Sequence, residues 1–223
     1  MAGVAGSEAY GVAKGAKIIA MRVIGKDRFF IGQVINGINS MINRHTARMT
    51  EEDFRGSVVT MSLGDSLIST ALEATVILAS NEGVHFVVSA GNSADDACNY
   101  SPGRLSFGSN IVTVGSINVE DHRSSFSNYG PCVAVYAPGE DIATTGPDDR
   151  TDAILVSGTS FAAPHVSGIM AAFLSRNKTL RIAPKLMKDK IMSLALNFEL
   201  DELQLNSLDL GLLVNNGNLE QEA

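Results

Sequence analysis

Short apolar runs rich in β-branched residues recur along the chain, several of them closed by a glycine. They are Lys17 to Val23 (KIIAMRV), Ser57 to Leu63 (SVVTMSL, ended by Gly64), Val84 to Ala90 (VHFVVSA, ended by Gly91) and Ile111 to Ile117 (IVTVGSI). Runs of this length predict parallel strands buried on both faces. Between them, Gly32 to Arg44 and Ser66 to Asn81 place apolar residues at helical spacing, as Val34, Ile35, Ile38, Met41 and Ile42 show. Strand and helix in alternation imply right-handed crossovers, and so an α/β fold: a doubly wound, mostly parallel sheet with helices on both faces. A polar loop, Glu120 to Asn128, leads to another apolar run at Cys132 to Tyr136. An alanine-rich helix follows from Ser160 to Arg176, in which Pro164 is tolerated if it lies in the first turn. A shorter helix from about Pro184 to Leu196 and a weakly patterned tail from Glu199 complete the chain. Neither a repeat nor a linker interrupts it, so residues 1–223 read as one domain.

Composition narrows the function classes more than the fold. The 223 residues are 45% hydrophobic and 18% charged, enough for one sizeable core. A formal charge of −7 with scattered lysines and arginines argues against a nucleic-acid partner. No apolar run approaches the ~18 residues of a membrane span, and the amino terminus lacks the charged-then-apolar plan of a signal peptide. Two cysteines, Cys98 and Cys132, are too few and too far apart for a zinc site or a CxxC pair, which leaves one disulfide or two inert thiols. Asn177-Lys178-Thr179 is a glycosylation sequon that would suit a secretory route.

In doubly wound sheets, ligands bind beyond the carboxyl ends of the strands. That rule gathers Ser62-Leu63-Gly64, Ser89-Ala90-Gly91-Asn92 and the loop before Ser160 along one edge. A serine opening a helix has its hydroxyl beside unpaired N–H groups and the positive end of the dipole, which suits a nucleophile. It also suits a helix cap, and on Ser160 and its immediate neighbours alone the cap is the simpler reading. Asn92 after Gly91 is likewise an ordinary turn residue when seen alone.

The wider run Gly158 to Gly168, GTSFAAPHVSG, closely resembles the signature around the active serine of subtilisin-like proteases, the subtilases. Val88-Ser89-Ala90-Gly91-Asn92 resembles the strand end bearing that family's oxyanion asparagine, and Ser62-Leu63-Gly64 its substrate-binding strand. Ser124 to Gly130 (SSFSNYG) and Ala137-Pro138-Gly139 resemble the stretch that leads to the serine, and all stand in the family's order. Asp96 to Pro102 (DACNYSP) is similar to the proteinase K and cerevisin branch. The resemblance implies a serine endopeptidase acting on peptide or protein substrates through an acyl-enzyme on Ser160. The oxyanion would be held by Asn92 and the Ser160 N–H, and the substrate backbone by Ser62, Leu63, Gly64, Ser89, Ala90 and Gly91. It also implies a removable pro-segment, a secreted or vacuolar location, and no catalytic cofactor or metal. Structural calcium occurs in the family, but Ala134 stands where relatives often place a ligating aspartate, so that site is not expected here. Cys98 and Cys132 fall where some relatives carry a disulfide. Asp65 replaces a glycine common in relatives and either tunes preference near the pocket or is simply solvated.

The family's histidine and aspartate lie earlier in the chain than the serine. Met1-Ala2-Gly3 matches the Val-Ala-Gly end of the histidine motif, so both partners are expected to precede Met1 in a full-length protein. None of His45, His85, His122 and His165 is expected to substitute as the base. This chain therefore reads as a subtilase catalytic domain incomplete at its amino-terminal side, inactive as it stands and exposing apolar sheet edge. A nucleotide-binding protein is excluded because Val23 to Asp27 is no phosphate loop, and an α/β-hydrolase because Gly158 to Ala162 reads GTSFA rather than GxSxG.

Overall fold

The computed structural model of the chain describes residues 1–25, 30–147, 152–199 and 210–216. Three strands form where the apolar runs predict them: β1 (Val58–Met61), β2 (His85–Ser89) and β3 (Val112–Ile117). With β4 (Val135–Pro138), they pair in parallel in the order β1-β2-β3-β4. Each strand side faces a different helical layer, because successive residues of a strand point to opposite faces. Val87, Val112, Val114 and Val135 join one core with Ala162, Ala163, Val166 and Met170 of the long helix over Thr159–Arg176 and with Met187 and Ile191 of the helix over Pro184–Leu194. Phe86 and Val88 join a second core with Val34 and Ile38 from the helix over Ile31–Arg48 and with Leu72, Val76 and Ala79 from the helix over Thr70–Asn81. The doubly wound α/β fold is therefore present as expected. In chain order the helices are α1 (Ala2–Gly6), α2 (Ile31–Arg48), α3 (Thr70–Asn81), α4 (Thr159–Arg176) and α5 (Pro184–Leu194).

Three elements depart from the pattern reading. Lys17 to Val23 is not a strand, and Ile18, Ile19 and Met21 are 46%, 52% and 42% exposed. A parallel strand exists only by bonding to a neighbour, whereas among the described residues β1 ends the sheet on this side and pairs only with β2. The segment instead leans on α2, where the missing side chain of Gly37 leaves room for Val23 and Met21. Second, the run at Cys132 to Tyr136 meets the sheet only from Ala134, whose N–H donates to Thr113 O of β3, because Val133 N–H turns back to Gly130 O. Third, the weakly patterned tail contributes a strand: β8 (Leu210–Leu213) lies parallel to β4 and pairs antiparallel with β7 (Leu196–Glu199), which forms the far edge. A separate antiparallel pair, β5 (Ile142–Thr145) and β6 (Ala153–Val156), leads into α4.

The disulfide joins Cys98 to Cys132, 34 positions apart in sequence. It ties the turn after β2 to the turn before β4. Among the described residues, no helix is long and apolar enough to cross a membrane.

Candidate active site

The carboxyl ends of β1 and β2 meet the amino end of α4, and the site is assembled there by hydrogen bonds between distant segments. The structure rejects Ser160 as a helix cap. Gly158 occupies the cap position with φ 145°, a conformation open to glycine, and Ser160 is the second helical residue. Asn92 performs the cap's task from another loop. Its Oδ1 accepts from both the N–H and the hydroxyl of Thr159, each at 2.9 Å. Because the oxygen end of the amide is fixed by these donors, its Nδ2 group is the end left free, near Gly158. Asn92 and Ser160, which sequence places far apart, are thus brought to one helix terminus.

Pro164 lies deeper than the first turn, as the sixth residue of α4. Its absent N–H is the one that would have bonded the carbonyl of Ser160. The hydroxyl of Ser62 donates to that carbonyl instead, at 3.0 Å. A proline within the helix is accommodated by a serine just beyond the neighbouring strand, and the same bond fixes Ser160 against the end of β1. A second tie, Thr60 Oγ1 to Ser167 Oγ at 2.6 Å, repeats the attachment further along the helix.

The two predicted substrate-binding segments differ in what they have left to offer. Beyond Met61 the ladder stops, and no backbone bond joins Ser62, Leu63 or Gly64 to another described residue. The chain is recaptured at Asp65, which exchanges both backbone bonds with Ser101. Ser62 to Gly64 therefore present an open edge. By contrast, Ala90 N–H donates to Val114 O, and Ala90 O accepts from Asn128 Nδ2. Gly91 N–H donates to Thr159 Oγ1, while Gly91 O accepts from Asn128 N–H. Ser89, Ala90 and Gly91 can form a wall but not a ladder.

Asn128 is the residue that sequence reasoning left without a role. It is fully buried; its Nδ2 holds Ala90 O at 2.9 Å, while its Oδ1 accepts from Ser93 and Asp95 N–H at 2.9 and 3.2 Å. A side chain at Gly91, whose φ is 106°, would collide with it. The loop that presents Asn92 is thus shaped around Asn128, and the only signal was its place in the SSFSNYG run.

None of the four histidines stands near Ser160 as a base. His85 opens β2, about 13 Å along the strand from Ser89, with Nε2 3.3 Å from Arg181 O, and burial lowers its pKa to about 4. His45 is buried against Ser57 Oγ at 2.9 Å. His122 is exposed beside Glu120, and His165 has Nδ1 2.9 Å from Phe161 O within α4. Desolvation lowers the pKa values of His45 and His165. No group of acidic, histidine or cysteine side chains among the described residues is arranged to hold a metal. A cleft of about 480 Å³ is lined by Met21 to Gly25 and by Gln33, Asn36, Gly37 and Ser40 of α2, none of them a predicted site residue.

The fold and this arrangement define a known family. Residues 1–216 match the Subtilase family, and the chain belongs to it; its members are serine proteases. The chain is 41% identical over 177 residues to Subtilisin-like protease 3 of Saccharomyces cerevisiae, covering 78% of this chain and 36% of that protein. Over 179 residues it is also 41% identical to cerevisin of the same yeast, covering 78% and 27%. Alkaline protease 2 of Aspergillus fumigatus is 36% identical over 200 residues, covering 83% and 40%. A crystal structure of a cold adapted subtilisin-like serine proteinase superposes with a TM-score of 0.78 at 37% identity, covering 90% of this chain and 68% of that one. The chain spans roughly a third to a half of the length of the first curated relatives it matches.

Proposed function

We propose that this chain is the nucleophile-bearing part of a subtilisin-like serine endopeptidase. The observation that carries the reading is the orientation of Asn92: with Oδ1 spent on Thr159, its free N–H₂ group stands beside the helix terminus that holds Ser160. In this reading Ser160 Oγ gives its proton to a base and attacks the carbonyl of an extended peptide; the scissile C–N bond then breaks, the amine leaves with that proton, and the acyl-enzyme remains. The oxyanion receives Asn92 Nδ2 and the Ser160 N–H, in a place already favoured by the positive end of α4. The substrate backbone pairs with Ser62 to Gly64 as an added strand, and Ser89 to Gly91 wall the pocket. Full turnover needs a base and its orienting carboxylate, supplied in the family by a histidine and an aspartate. The placement of the four histidines supports the further reading that this chain alone binds peptide without cleaving it, because loss of the triad histidine costs about 10⁶ in turnover in subtilisin, a member of the same family.

In this reading acylation is carried by protein groups and water then hydrolyses the acyl-enzyme, with no catalytic cofactor. Ala134 offers no oxygen side chain for the family's calcium, so we propose that this position does not hold that ion. A disulfide suits an oxidising compartment, which supports secretion or a vacuolar destination and, with it, a removable pro-segment in the full-length protein. A fluorophosphonate probe tests the central claim. Slow labelling confined to Ser160 and abolished in Ser160→Ala is expected; brisk labelling would show that a base is present, and labelling elsewhere would displace Ser160 from its role.

A further inference from the structure

Asp65 stands immediately beyond the open edge formed by Ser62, Leu63 and Gly64, where the family resemblance leads one to expect glycine. Its backbone is fixed by the pair of bonds to Ser101, at 3.0 and 2.9 Å. Its side chain is also held: Oδ1 accepts from Leu67 N–H at 3.1 Å and Ser66 Oγ at 3.3 Å, while Oδ2 has no partner among the described residues. The carboxylate is exposed, and Arg104, three residues beyond the Ser101 that Asp65 pairs with, is engaged with Glu73 at 3.2 Å. Leu67, 70% exposed, lies beside it.

Ser62 fixes the near end of the edge, through its bond to the Ser160 carbonyl, and Asp65 the far end. Three residues of extended chain span about 10 Å. A peptide whose carbonyl carbon lies at Ser160 and whose backbone follows Ser62 to Gly64 therefore brings a side chain about three residues away to Asp65. Resting on the peptide-binding reading above, we propose that Asp65 is a specificity-determining residue that selects lysine or arginine at that position. The aliphatic stem of such a residue would lie along Leu67 and its cationic head would meet the free carboxylate oxygen.

The test uses the full chain and fluorescent hexapeptides in which lysine, norleucine or glutamate is placed at each position in turn, with dissociation constants read by anisotropy at low and high ionic strength. At one position, about three residues from the Ser160 end, lysine is expected to bind about threefold tighter than norleucine and about tenfold tighter than glutamate, with the preference shrinking as salt rises. Asp65→Asn should remove that preference, and Asp65→Lys should invert it while circular dichroism stays unchanged. Peptides that bind with the same ranking in wild type and both variants overturn the role of Asp65 alone. Absence of binding by every peptide overturns the peptide-edge reading as well.

Discussion

The segment from Lys17 to Val23 and the strand from His85 to Ser89 are both short, apolar and β-branched, yet one is exposed coil and the other is buried along its whole length. The difference lies outside both segments. β2 has β1 on one side and β3 on the other, whereas the earlier segment meets no strand among the described residues. Backbone groups that leave water need another backbone to take them, so two similar β-branched runs reach opposite outcomes. At the site the contrast is repeated: Ala90 and Gly91 have spent their backbone bonds, and Ser62 to Gly64 have not.

Removing what holds the well-bonded region should produce the largest effect. Replacing Cys98 and Cys132 by serine frees a loop of 34 positions and should cost about 4 kcal/mol by the chain-entropy relation, measured by urea unfolding. An effect below about 1 kcal/mol would mean that the turn regions after β2 and before β4 are held without the bridge.

Acid should attack the same region from the buried end of β2. His85 has a folded pKa of about 4 against an ordinary value of 6.5, so the unfolded chain binds more protons between these values. Its contribution to stability is present above pH 6.5 and is lost as pH falls towards 4. By linkage this is about 3 kcal/mol; His45 and His165 shift in the same direction. The unfolding midpoint should fall steeply across that window, and His85→Gln should flatten the slope. An unaltered slope in the variant would assign the acid sensitivity to other groups.

Smaller effects are expected at the junction between strand and helix. Ser62→Ala leaves the Ser160 carbonyl without its donor and should cost about 1–2 kcal/mol. Pro164→Ala restores an N–H to the helix, and in that background Ser62→Ala should cost much less, so a double-mutant cycle on thermal unfolding reads the coupling directly. The smallest effect belongs to the exposed segment: Ile18→Thr and Ile19→Thr should change stability by less than about 0.5 kcal/mol. A larger loss would show that this region is buried in solution.

Much of the fold was legible because its strands and helices announce themselves locally. The runs of β1, β2 and β3 and the helical spacing in α2 and α3 needed only their own residues. The nucleophile and oxyanion candidates were readable through resemblance, since Ser160 and Asn92 taken singly are indistinguishable from a cap and a turn. What could not be read depended on partners far along the chain. Asn128 binds Ala90, 38 positions away; Ser62 meets Ser160, 98 positions away; and β8 joins β4 through a tail whose own pattern is weak. Exposure of Lys17 to Val23 follows from the absence of a neighbour, which no property of those residues records.

The gap that Pro164 opens in α4 makes the run GTSFAAPHVSG incomplete as a portable unit. Grafted onto another sheet, it would carry a helix with a vacant acceptor at the very residue meant to react, and the host would have to provide a hydroxyl on the adjoining strand. The signature is therefore better regarded as half of a two-part joint, with Ser62 as its counterpart, than as a self-contained cassette.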